Sequence, residues 1–106
     1  MNVGYYVGAL FAGAFLVNVV PHFVKGICGD KFPTPFSKPP GKGLSSAPVN
    51  MVWALVNLAA GLVLWHVSKP CSAYGLMAAF AVGFAGMGVQ LSTHFQHKDR
   101  QLDSRQ

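Results

Sequence analysis

NVGYYVGALFAGAFLVNVVPHFV, residues 2–24, contains no Lys, Arg, Asp or Glu. About 20 apolar residues in a helix cross a hydrocarbon core of roughly 30 Å, so this run is long enough to span a bilayer. Residues 49–67 and 73–95 share the property. The 8 Lys and Arg and the 3 acidic residues, all Asp, fall between these runs or after the last one. The expected fold is therefore all-α: a three-helix transmembrane bundle forming a single membrane domain over residues 1–106. Its spans run at about 3–24, 48–67 and 73–95, with a long Pro/Gly-rich cytoplasmic loop at 25–47 and a tail at 96–106. A chain of 106 residues that is 52% hydrophobic has no room for a soluble domain beside three spans.

The basic excess has a plain reading in this setting. Cations that flank spans set topology and touch anionic lipid, so the partner expected of them is the bilayer and not nucleic acid. No Lys or Arg precedes the first run, which argues against a secretory signal. Lys25, Lys31, Lys38 and Lys42 follow the first span and Lys98, Arg100 and Arg105 follow the third, while the other side carries only Lys69. The positive-inside rule then predicts a multi-pass protein, of the bacterial inner membrane, with the N-terminus outside and the C-terminus in the cytoplasm. Tyr5, Tyr6, Trp65 and Tyr74 fall at the outer ends, where an aromatic belt belongs. Cys28 and Cys71 are placed on opposite sides and cannot bridge within one chain.

Between the first two spans lie Pro33, Pro35, Pro39 and Pro40 with Gly26, Gly29, Gly41 and Gly43. Neither helix nor strand is expected there, yet Ile27, Phe32, Phe36 and Leu44 argue against full disorder. Loops of this length are usually functional or disordered; an extended segment lying on the cytoplasmic face of the bundle is the expectation. Pro21 is expected to kink or end the first span. Ser46 or Ala47 serves as N-cap of the second span, with Pro48 in its first turn.

At 100° per residue each span has one small and polar face. Gly4-x3-Gly8-x3-Ala12 and Gly75-x3-Ala79-x3-Gly83 are small-x3-small patterns that let helix backbones approach, either within the chain or between copies. The polar members gather in the cytoplasmic half: Asn18, His22, Asn50, Asn57, Gln90 and His94. Facing lipid would be costly for each, so they are expected to point inward. They form either an interhelical hydrogen-bond cluster or a pocket open to the cytoplasm and covered by the Pro-rich loop. Lys42, Gly43, Ser45 and Ser46 before a helix start suit an anion or a lipid headgroup, without the order of a Walker A motif.

Absences narrow the function. The spans carry no carboxylate, which argues against a carboxylate-based proton-coupled transporter. No nucleophile–base pair is legible, so catalysis is not expected, and no metal site is expected. The leading expectation is a structural or accessory subunit of a membrane complex, or a homo-oligomer. The alternative is a ligand-binding or redox-associated membrane protein whose pocket holds a lipid headgroup, a quinone or a haem. An enzyme using His22 stands third.

Overall fold

A computed structural model of the chain describes residues 2–96. The expected basic tail, with Lys98, Arg100 and Arg105, and His97 lie outside the described residues.

Three helices account for most of the described chain: α1 over Val3–Ile27, α2 over Ala47–Ser68 and α3 over Tyr74–Phe95, with a 3-10 turn at Pro70–Ser72 between the last two. Each is long and apolar enough to cross a membrane. At 1.5 Å rise per residue even the 22-residue helices reach about 33 Å.

Local chemistry sets the ends. Asn2 caps α1, its side-chain oxygen accepting from the Tyr5 N–H at 3.3 Å. Pro21 sits inside the helix without ending it, and α1 continues three residues beyond the expected boundary at 24. An internal proline forfeits one bond to the preceding turn but leaves the following residues free to continue. What stops α1 is Gly29 at φ +78. Asp30 N–H donates to the Lys25 carbonyl at 2.9 Å and Gly29 N–H to the Gly26 carbonyl at 3.2 Å, the paired closure of a Schellman motif. Ser46 caps α2, accepting from the Val49 N–H at 3.4 Å, with Pro48 in the first turn where no N–H is needed. Lys69, left-handed at φ 50, ends α2.

α1 is the central helix. Both α2 and α3 pack along it, whereas α2 and α3 share hardly any packing of their own. They meet where Trp65 contacts Phe80 edge-on at 4.9 Å. α1 runs antiparallel to α2, with Gly8 beside Ser68, Leu16 beside Gly61 and Gly26 beside Met51. It runs parallel to α3, with Tyr6 beside Gly75 and Val17 beside Gly88. The closest approach is at Gly13 and Gly83. A Cβ at Gly83 would run into the Leu10 carbonyl, and one at Gly13 into the backbone of Phe80 and Phe84.

The segment after Ile27 folds back over one end of the bundle. Phe32 and Ser45 form an antiparallel bridge, bonded both ways at 3.1 and 3.0 Å. Inside this strap Thr34 is the organising residue: buried, it accepts the Ser37 and Gly41 N–H groups at its carbonyl, while its hydroxyl meets Ser45 Oγ at 2.6 Å. The aliphatic outer faces remain uncovered by the chain itself: Val20 and Val24 on α1, Val52, Val56 and Val63 on α2, and Val82 and Val89 on α3 are all largely exposed.

Candidate functional site

Because α2 and α3 diverge from their contact at Trp65 and Phe80, a space opens between them in front of α1. The strap closes its end. The resulting cavity has a volume of about 330 Å³ and a wall made almost entirely of carbon. α1 contributes Phe11, Phe15, Asn18 and His22; α2 contributes Trp53 and Asn57; α3 contributes Met87, Leu91, His94 and Phe95; Pro33, Thr34, Pro35 and Gly41 form the roof.

His22 is a closely held polar group in the wall. It is 2% exposed and stands edge-on to Phe32, Trp53 and Phe95, at ring separations of 5.4, 6.5 and 6.0 Å. Its Nδ1 lies 2.8 Å from Asn50 Oδ1. The orientation of the Asn50 amide is fixed from the other side. Its nitrogen donates to the carbonyls of Phe32, Ser45 and Ser46 at 2.9, 3.2 and 3.0 Å. Reversing the amide would set an oxygen against three carbonyl oxygens, so Oδ1 must face the histidine. An amide oxygen only accepts; His22 Nδ1 therefore carries hydrogen. In the neutral ring Nε2 is then a bare lone pair. It has no hydrogen-bond partner among the described residues. Nor is it sealed in protein: the one fully buried side-chain nitrogen or oxygen left without a partner there is Ser68 Oγ.

The same logic applies one helical turn away. Asn57 donates from Nδ2 to the Trp53 carbonyl at 2.8 Å, which turns its Oδ1 toward Asn18. Asn18 Nδ2 donates to that oxygen at 3.0 Å, leaving Asn18 Oδ1 as a free acceptor. On α3, His94 Nε2 is 2.7 Å from the Gly41 carbonyl. A carbonyl only accepts, so His94 Nε2 holds the hydrogen and the neutral ring presents a bare Nδ1.

Of the six polar residues singled out in the sequence, Asn18, His22, Asn57 and His94 line the cavity. Asn50 is buried behind His22 and joins α1, α2 and the strap. Gln90 stands exposed and does not join them. The anion-suited segment is arranged differently from a cradle. Gly41 N–H donates to Thr34, Lys42 and Gly43 N–H to Pro39, and Ser45 N–H to Phe32, so these groups point into the strap's own carbonyls. Ser45 Oγ is engaged by Thr34, Ser46 Oγ caps α2, and Lys42 is exposed.

The small-residue patterns divide among different neighbours. Ala12 is fully buried and Gly83 sits at the α1–α3 crossing. Gly8 faces α2 at Ser68, Gly75 meets Tyr6, Ala79 is half-buried, and Gly4 has only the Asn2 side chain near it. Gly13, outside both patterns, makes the α1 side of the closest approach. Thr34 was also invisible as a site residue; its position between Pro33 and Pro35 was the available signal, since flanking prolines hold a residue extended.

Among the described residues no group of three or more His, Cys, Asp or Glu gathers to hold a metal ion. No family model, curated protein or solved structure matches this chain.

Proposed function

We propose that this chain is a three-span membrane protein that holds a small apolar ligand in the cavity between α2 and α3, against Asn18 and His22. The three long apolar helices support insertion, and the cation distribution supports an external N-terminus with the strap in the cytoplasm. One observation carries the ligand reading. His22, 2% exposed and lining a carbon-walled cavity, keeps a ring nitrogen with no partner among the described residues, a polar atom that can orient a ligand head. The volume sits at the lower end of the roughly 300–1,000 Å³ common for small-molecule sites, where apolar walls supply affinity and a few polar atoms supply orientation.

The test is native mass spectrometry of the protein extracted in mild detergent, beside an Ala14→Phe variant. Ala14 lines the cavity, and a phenyl ring there fills it. A small-molecule adduct on the wild type that is absent from the variant supports the reading. A bare wild-type chain, or an adduct equal in both, removes it.

A second reading, an accessory subunit or homo-oligomer, is supported by α3. Ala78, Ala81, Ala85 and Gly86 are exposed, and nothing of the chain lies within 4 Å of a Cβ placed on Gly86. Small side chains allow another helix to approach closely in a membrane. The same spectra decide it, through attached polypeptides.

A further inference from the structure

We propose that the cavity selects apolar molecules whose polar head donates a hydrogen bond, a hydroxyl above all, over molecules whose head only accepts. This rests on the ligand reading above and names the chemistry of its occupant.

The selection follows from the direction of the fixed groups. His22 and Asn18, which carry the bare Nε2 and Oδ1, lie four residues apart on α1, hence on one face and about 6 Å apart along the axis. Both are acceptors because the groups behind them cannot reverse: three carbonyls hold Asn50, and the Trp53 carbonyl holds Asn57. None of the lining residues is Lys, Arg, Asp or Glu. The roof supplies no donor from Gly41, whose N–H is held by Thr34 at 2.8 Å.

A carboxylate or phosphate head would bring negative charge against lone pairs. A ketone, ester or ether head would leave His22 Nε2 unsatisfied in a carbon-walled space. A hydroxyl answers it: the hydrogen goes to Nε2, and the oxygen is left to accept from the remaining Asn18 amide hydrogen. The rings of Phe11, Phe15, Trp53 and Phe95 suit an aromatic or aliphatic body alike. Phenols, hydroquinones and long-chain alcohols share this chemistry.

The experiment titrates the full chain in mild detergent with two matched pairs, following Trp53 fluorescence in a Trp65→Phe background. One pair is 4-nonylphenol and its methyl ether; the other is dodecanol and its methyl ether. Within a pair the apolar body is the same and only the donor is lost. A site built to bond a hydroxyl rejects the analogue lacking it, so at least about tenfold tighter binding of the hydroxyl form is expected, collapsing toward equality in His22→Phe. Discrimination in the phenol pair assigns a phenolic ligand; discrimination confined to the dodecanol pair assigns an aliphatic alcohol. Equal binding within both pairs overturns the donor inference and leaves the cavity reading standing. No binding of any of the four overturns the cavity reading itself. Should His22→Phe fail to fold, ¹⁵N NMR of the histidine-labelled wild type reads the tautomer directly, and hydrogen on His22 Nε2 overturns the inference.

Discussion

Asn50 Oδ1 accepts a hydrogen bond from His22 Nδ1 across the α1–α2 interface at 2.8 Å, while the Asn50 nitrogen ties three carbonyls of the strap and the α2 start. One side chain therefore sets the tautomer of the cavity histidine and anchors the strap above it.

Replacing Asn50 by Leu removes all of these bonds at once. The fully buried site offers no water in exchange, so each orphaned group costs on the order of 1–3 kcal/mol, part of it recovered by relaxation. A loss of roughly 2–4 kcal/mol is expected in SDS-induced unfolding from mild detergent. A change below about 0.5 kcal/mol would remove Asn50 from the centre of this network.

Gly83→Leu forces α3 away from the Leu10 carbonyl and destabilises the α1–α3 pair by several kcal/mol, whereas Gly86→Leu, in open space, changes the isolated chain little. Side-by-side unfolding curves compare them. Equal losses in a monomeric preparation contradict the crossing at Gly13 and Gly83; a selective loss of oligomer in Gly86→Leu supports association through the outer face of α3.

His94→Ala removes the bond between α3 and the strap at Gly41. His94 is exposed, so the stability cost is small, about 1 kcal/mol or less. Local opening is the sensitive readout: hydrogen exchange over residues 38–43 accelerates while exchange in α1 does not. Unchanged exchange there shows that the Phe32–Ser45 bridge holds the strap without His94.

Asn57→Leu breaks the bond to Asn18 at 3.0 Å. Interhelical bonds of this kind in membranes are worth about 0.6 kcal/mol on average and up to about 1.7. A loss within that range is expected, together with weaker ligand retention, because the freed Asn18 amide can then rotate. Undiminished retention argues that Asn18 does not orient the ligand.

Cys28 and Cys71 are free, exposed and at opposite ends of the bundle, one at the end of α1 beside the strap and one in the 3-10 turn. With the N-terminus outside, a membrane-impermeant thiol reagent applied to intact cells labels Cys71 and reaches Cys28 only after the cells are opened. The opposite order reverses the proposed topology.

Much of this architecture could be read from the chain. Apolar transfer free energies add residue by residue, so three uncharged runs suffice to declare three long helices. The clustering of Asn18, His22, Asn50, Asn57 and His94 toward one end was legible too, since depth along a helix follows from residue number. The length of α1 was less so: Pro21 drew the boundary too early, and the stop lay in Gly29.

What the sequence by itself determined is the helices, the start of α2 and the depth of the polar groups, all of which are local properties. The tertiary structure decided rotation and direction. The small and polar face of α3 does not by itself fix which side meets α1: Gly83 is buried at the crossing, while Gly86 of the same stripe is exposed. The backbone contact at Gly13 and Gly83 does; Met87, Leu91 and Phe95 then line the cavity, while Gln90, also of that stripe, is exposed. Direction is equally non-local: which nitrogen of His22 is bare depends on carbonyls at positions 32, 45 and 46, brought to Asn50 only when the strap folds back.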